Sequence, residues 1–168
     1  MANFWFNLSS LDGTNGFKID GISNNAKSVN SAGDINGDGI DDIIIGDLGK
    51  SYVLFGDSSN RNLTRNVSSL DGTNGFLIDG IRGITTVSQA GDINADGIDD
   101  LIIGGVEQSF VLFGKTTGFT SSFNVSSLNG NNGFTINGIS GSTFVQAAGD
   151  VNGDGIEDFM IGARDAPF

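Results

Sequence analysis

The chain has 168 residues, 20 acidic against 8 basic for a formal charge of −12, and 38% apolar residues including 13 Phe. That is enough apolar material for a core of ordinary size, and the charge disfavours nucleic acid and anionic membrane surfaces as partners. With neither Cys nor His, disulfides, thiolate chemistry, the usual general base and the commonest soft-metal ligand are all excluded.

Taken in chain order, the first stretch, Met1-Ala2-Asn3-Phe4-Trp5-Phe6, lacks the basic region and long apolar run of a signal peptide, so the sequence reads as a mature or excised piece. No apolar run of roughly 18 residues follows anywhere, so no membrane insertion is expected. Three elements then recur. LDGTNGFKIDGI from Leu11 returns as LDGTNGFLIDGI from Leu70 and LNGNNGFTINGI from Leu128. AGDINGDGIDDIIIG from Ala32 returns as AGDINADGIDDLIIG from Ala90 and AGDVNGDGIEDFMIG from Ala148. SYVLFG from Ser51 returns once, as SFVLFG from Ser109. The chain is therefore read as a single repeat domain over 1–168, with units at 11–56, 70–114 and 128–168, the last incomplete.

Within each unit short runs of Ile, Val, Phe and Leu alternate with Gly, Asn and Asp, which is the punctuation of strands and turns. An all-β chain is expected. Phe76-Leu77-Ile78 and Phe134-Thr135-Ile136 place Phe and Ile on one face, as in an outer strand with one wet side. Ile43-Ile44-Ile45 and Leu101-Ile102-Ile103 are apolar on both faces and predict strands sandwiched between neighbours. Small polar stretches such as Ser31-Ala32-Gly33 suit an inner strand at a crowded axis. Four such strands per unit point to β-propeller blades; a solenoid of shorter coils is the alternative. The sequons at Asn66 and Asn124 arise easily in a chain this rich in Asn and Ser and carry no weight.

The most specific feature is the acidic loop. In the first copy Asp34, Asn36 and Asp38 hold positions one, three and five, Gly39 follows, Ile40 stands at seven and Asp42 at nine. The second copy offers Asp92, Asn94, Asp96, Ile98 and Asp100, the third Asp150, Asn152, Asp154, Ile156 and Asp158. Alternation turns the odd positions inward, and three carboxylates, one amide oxygen and the Ile carbonyl provide most of the six to eight oxygens that Ca²⁺ takes. Three Ca²⁺ per chain are expected. Mg²⁺ fits less well because it holds its waters and demands strict octahedral geometry. Position eight, Asp41, Asp99 or Glu157, is expected to face away, toward solvent or a second coordination layer. Asp-Gly and Asn-Gly also make plain hairpin turns, but a bare turn gains nothing from clustered carboxylates that repel one another. An EF-hand is excluded, since Ile45, Ile103 and Ile161 stand where its bidentate Glu would be.

The order AGDxNGDGxxDxxIG, aromatic-Val-Leu-Phe-Gly, then NGFxIDGI resembles the FG-GAP repeats of the integrin alpha-chain propeller, and more closely the integrin-alpha-like repeats of bacterial extracellular proteins. The resemblance spans Leu11 to Gly162; the Gly-Ala-Pro signature is degenerate, as Gly46-Asp47-Leu48, Gly104-Gly105-Val106 and Gly162-Ala163-Arg164. It implies a propeller with structural Ca²⁺ between the first and second strands of each blade, an extracellular or cell-surface setting, and adhesion or ligand binding with a protein or glycan partner. Propellers close with roughly four to eight blades, more than this chain encodes. The ends, Phe4-Trp5-Phe6 with Phe17-Lys18-Ile19 at one side and Phe144 to Gly162 at the other, are therefore expected to pair between two chains, as a homodimer closing a six-bladed ring.

Two other functions compete with a binding module. A self-assembling structural protein with no separate ligand would be favoured by an exposed aromatic patch at Phe4-Trp5-Phe6. A hydrolase using Asp pairs would need a carboxylate pair that breaks the repeat, and the sequence offers none, so no enzymatic activity is expected.

Overall fold

The computed structural model describes residues 7–23, 26, 28–59 and 62–164. The aromatic run Phe4-Trp5-Phe6, expected to act as a strand, lies outside them. Among the described residues the chain is all-β, with eleven strands, three single-turn 3-10 helices and no α-helix. In chain order the strands are β1 (Lys18–Asp20), β2 (Ser28–Gly33), β3 (Asp42–Leu54), β4 (Thr64–Asn66), β5 (Gly75–Ile84), β6 (Thr86–Gly91), β7 (Asp100–Gly104), β8 (Val106–Leu112), β9 (Ser122–Asn124), β10 (Gly133–Gly149) and β11 (Asp158–Arg164).

Two larger sheets carry the structure, ordered β2-β3-β5-β9 and β11-β10-β8-β7-β6, beside a small pair β1-β4. In the first sheet, residues 42–46 of β3 pair antiparallel with β2 and residues 48–54 with β5. In the second, β7 lies between β6 and β8, the first half of β10 pairs with β8, and its second half turns to pair with β11. Each sheet thus follows the chain order of small polar strand, Ile-rich strand, aromatic-Val-Leu strand and Gly-Phe strand. Sheet and sequence unit are out of phase, because β5 begins the second unit yet lies in the first sheet, between β3 and β9.

The Ile-rich strands are buried on both faces as expected: Ile44, Leu101, Ile102 and Ile103 are all 0% exposed. Ile44 packs between sheets with Val53, Phe76, Ile78, Leu101 and Leu112, and Phe119 from the loop before β9 stacks on Phe76 with ring centres 4.3 Å apart. The expectation of a wet face on the outer strand needs correction. Leu77 is half-buried and packs with Tyr52, Val67 and Leu70, because β9 and the 3-10 turn at Val67–Ser69 run along that edge. The parallel strands β4 and β9, three residues each, were not foreseen. The sequon residues Asn66 and Asn124 each cap the following 3-10 turn, accepting from the N–H of Ser68 and Ser126 at 2.9 Å.

Successive repeats are locked by threonines. Thr143 is 1% exposed; its N–H donates to Gly105 O at 2.8 Å and its hydroxyl to Gly105 O and Gln108 O at 3.1 and 3.3 Å. Thr85 makes the same bonds to Asp47 O and Lys50 O. A buried hydroxyl is stable only when so satisfied, and here it fixes the crossover from each outer strand into the next inner one.

Candidate metal centre

Each acidic loop joins a small polar strand to an Ile-rich one, and a web of Asx-type hydrogen bonds shapes it. In the first loop Asp34 Oδ1 and Asn36 Oδ1 both accept from the Asp38 N–H, each at 2.9 Å. Two oxygens on one donor must lie side by side. Asp34 Oδ2 accepts from Gly39 N–H at 2.7 Å, Asp38 Oδ1 from Ile40 N–H at 2.9 Å, and Asn36 Nδ2 donates to Asp38 Oδ2 at 3.0 Å. The second loop repeats all five bonds through Asp92, Asn94 and Asp96. In the third, Asp150 accepts from the N–H of Asp154 and Gly155 and Asn152 shares the Asp154 N–H, while Asp154 Oδ1 takes the Ile156 N–H.

Backbone conformation is equally consistent. Gly39, Gly97 and Gly155 all have φ of +87°, in the left-handed region that only glycine enters freely. Ala95, standing where the first loop has Gly37, is held at φ +60°, at a cost of about 1–2 kcal/mol that the surrounding bonds sustain.

Position nine behaves differently from the others. Asp42 is 1% exposed, and its carboxylate spans the loop: Oδ2 accepts from Ile35 N–H at 3.2 Å and Oδ1 from Gly56 N–H at 2.7 Å. Asp100 does the same with Ile93 and Gly114, both at 2.9 Å. It therefore ties the start of the loop to the glycine ending the aromatic-Val-Leu-Phe run, a link invisible in the spacing of the acidic residues. Asp158 accepts from Val151 N–H at 3.0 Å. The Ile40 and Ile98 side chains, at position seven, sit against Gly56 and Gly114.

Burial, above all, pushes the Asp42 carboxyl up to about 7, with the charges of Asp38 and Asp34 adding to it and the two backbone bonds opposing it. Asp100 is pushed up to about 6, again chiefly by burial, with Asp96 adding. These causes show the acids of one loop in each other's field. Among the described residues no three acidic side chains stand closed on one point, and mutually repelling carboxylates have no electrostatic reason to close without a cation. The donors are all hard oxygens, which fits Ca²⁺ and disfavours soft metals.

A pH dependence follows with a definite sign. A carboxyl whose folded pKa lies above its unfolded value of 3.8 adds stability that is fully present below pH 3.8 and is lost as pH rises through the folded value. In chelator, thermal stability should therefore decline between about pH 4 and pH 7, and added Ca²⁺ should restore it at the upper end. Melting curves in EDTA that rise steadily across this window would contradict the assignment.

The second recurrent turn offers a useful contrast. Asp12 and Asp71 each bind a Thr hydroxyl and N–H two residues on, with Asn15 or Asn74 closing the turn, but Asn129 replaces the acid in the third copy and keeps the same backbone bonds. A turn that works equally with Asn needs no carboxylate. The acidic loops keep all three of theirs in every copy.

Position eight corrects the sequence reading in one respect. Asp99 neither faces solvent nor serves its own loop; its Oδ2 accepts from the Asp34 N–H at 2.8 Å, in the repeat before. No protein-family model matches the chain, and no curated protein matches it.

Proposed function

We propose that the chain is a calcium-binding repeat module of the integrin-alpha FG-GAP type, each sheet a propeller blade and each acidic loop holding one structural Ca²⁺, three per chain. The observation that carries this is the recurrence, 58 residues apart at Asp34, Asp92 and Asp150, of one hydrogen-bonded loop that places carboxylate and amide oxygens side by side. Asp34, Asn36, Asp38, the Ile40 carbonyl and Asp42 would hold the first ion, with their counterparts in the other loops. The ion supplies charge neutralisation and stiffens the turn; the chain's own residues fix its place. The module would act by binding, outside the cell or at its surface, with a protein or glycan as ligand, rather than by catalysis. Among the described residues no helix is long and apolar enough to cross a membrane.

Paired substitutions test the ligand set. Asp96→Ala should remove the middle ion and leave two per chain. Asp99→Ala should keep all three, because that carboxylate serves the Asp34 backbone. Equal loss of metal in the two variants, counted by mass spectrometry, would show the inward alternation to be wrong.

A further inference from the structure

Equivalent positions in the three repeats differ in burial, and the differences fall at two opposite ends. Val87 and Val145 are 2% and 7% exposed, while Val29, the same position in the first repeat, is 69% exposed. The internal junctions account for this: Val87 N–H donates to Ser28 Oγ and Ala147 N–H to Ser88 Oγ, both at 3.1 Å, so each inner strand lies beneath the one before it. At the other end Ile44 and Ile102 are 0% exposed, but Met160 in their place is 56% exposed. Val151 is 72% exposed where Ile35 is 0%.

The position-eight acids divide by what they touch rather than by burial. The Asp99 carboxylate fills the space beside Gly33, and the Glu157 carboxylate fills that beside Gly91. Each reaches back to the glycine that precedes the loop of the earlier repeat; only the first of these junctions adds the bond to the Asp34 N–H. Asp41, the same residue in the first repeat, is exposed and, like the exposed Glu157, makes no side-chain hydrogen bond among the described residues; unlike Glu157, its carboxylate lies beside no glycine that precedes an acidic loop. Nothing lies within 4 Å of the Cβ position at Gly149.

We propose that these ends are the two halves of one junction, and that the third repeat of one copy docks against the first repeat of a second copy. The second copy's Asp41 takes the space beside Gly149 and reaches the Asp150 N–H, and its first sheet covers Val151 and Met160. The occupant is a second copy because this chain's own first repeat carries the unpaired acid and the uncovered valine at the positions both internal junctions use. The interface would be continuous with those junctions and heterologous, head to tail. The third acidic loop is then completed by a residue from the partner copy. This deepens the proposed repeat architecture and does not depend on the metal.

The test is sedimentation of the 168-residue chain with and without Ca²⁺, alongside Asp41→Lys, which blocks the head, and Val151→Asp, which blocks the tail. Both residues are exposed, so melting curves should stay close to the parent's. The parent should self-associate at micromolar concentration. Either variant alone should associate roughly 30-fold or more weakly, and an equimolar mixture of the two should recover a two-chain species through the one intact junction. A monomeric parent, variants that associate like the parent, or a mixture that stays monomeric would overturn the proposal. Three bound ions on a monomer would sink it and leave the calcium reading standing; association without ions would do the reverse.

Discussion

Chelation should lower the melting temperature of this chain by well over what a single surface change produces. One ion that binds only the folded loop adds about 2.7 kcal/mol when free Ca²⁺ stands at 100 times its Kd. In a chain of this size 1 kcal/mol moves the midpoint by roughly 2–4 °C, so even one site corresponds to roughly 5–10 °C. The direction is set by the loop itself. Without a cation, Asp34, Asp38 and Asp42 keep three carboxylates in one another's field, and Asp42 is buried as well. With the ion present that repulsion becomes attraction, and the loss on chelation should be larger at pH 8 than at pH 5. Differential scanning calorimetry in EDTA and in millimolar Ca²⁺ reads this directly. Superimposable curves at pH 8 would remove the ion from the structure's stability.

The second large effect belongs to the core between the two sheets. Phe76 is 0% exposed, stacks on Phe119 at 4.3 Å and meets Phe55 at 5.9 Å. Phe76→Ala should cost about 3–5 kcal/mol in denaturant unfolding, the loss of a large ring plus the cavity it leaves. Phe134 holds the same position one repeat later and is 36% exposed, so its truncation should cost clearly less. Equal costs would mean that the Phe76–Phe119 stack contributes little, and that the core lies elsewhere.

Much of this was legible in the sequence because a repeat states its pattern more than once. A single Asp-x-Asn-x-Asp-Gly could be a plain turn, but copies at Asp34, Asp92 and Asp150 carry the same register, and the strand order around them follows from the apolar runs. The all-β class and the burial of Ile44, Ile102 and their neighbours came from the same reading. What stayed hidden were contacts between repeats, which depend on how units stack rather than on local period. Thr85 and Thr143 look like ordinary strand residues, although their spacing of 58 is the signal that could have singled them out. At position eight Asp41 and Glu157 are exposed, in line with the expectation, and only Asp99 departs from it, for a related reason. Alternation correctly turned Asp99 away from its own loop, but nothing in a single unit says that the loop of the previous unit waits on that side. Leu77 was expected to be wet because β9, only three residues long and parallel, is too short to show any period. The small residues of the inner strands point to a crowded axis, but they do not reveal which partner crowds it. That is why the exposure of Val29 and Met160 emerges only from the structure.

Native mass spectrometry of the chain, equilibrated with Ca²⁺ and then with EDTA, tests calcium binding most directly. Three ions per chain are expected, falling to two in Asp96→Ala and to none in chelator. A chain that carries no Ca²⁺ at millimolar concentration, with its mass unchanged by EDTA, would contradict it.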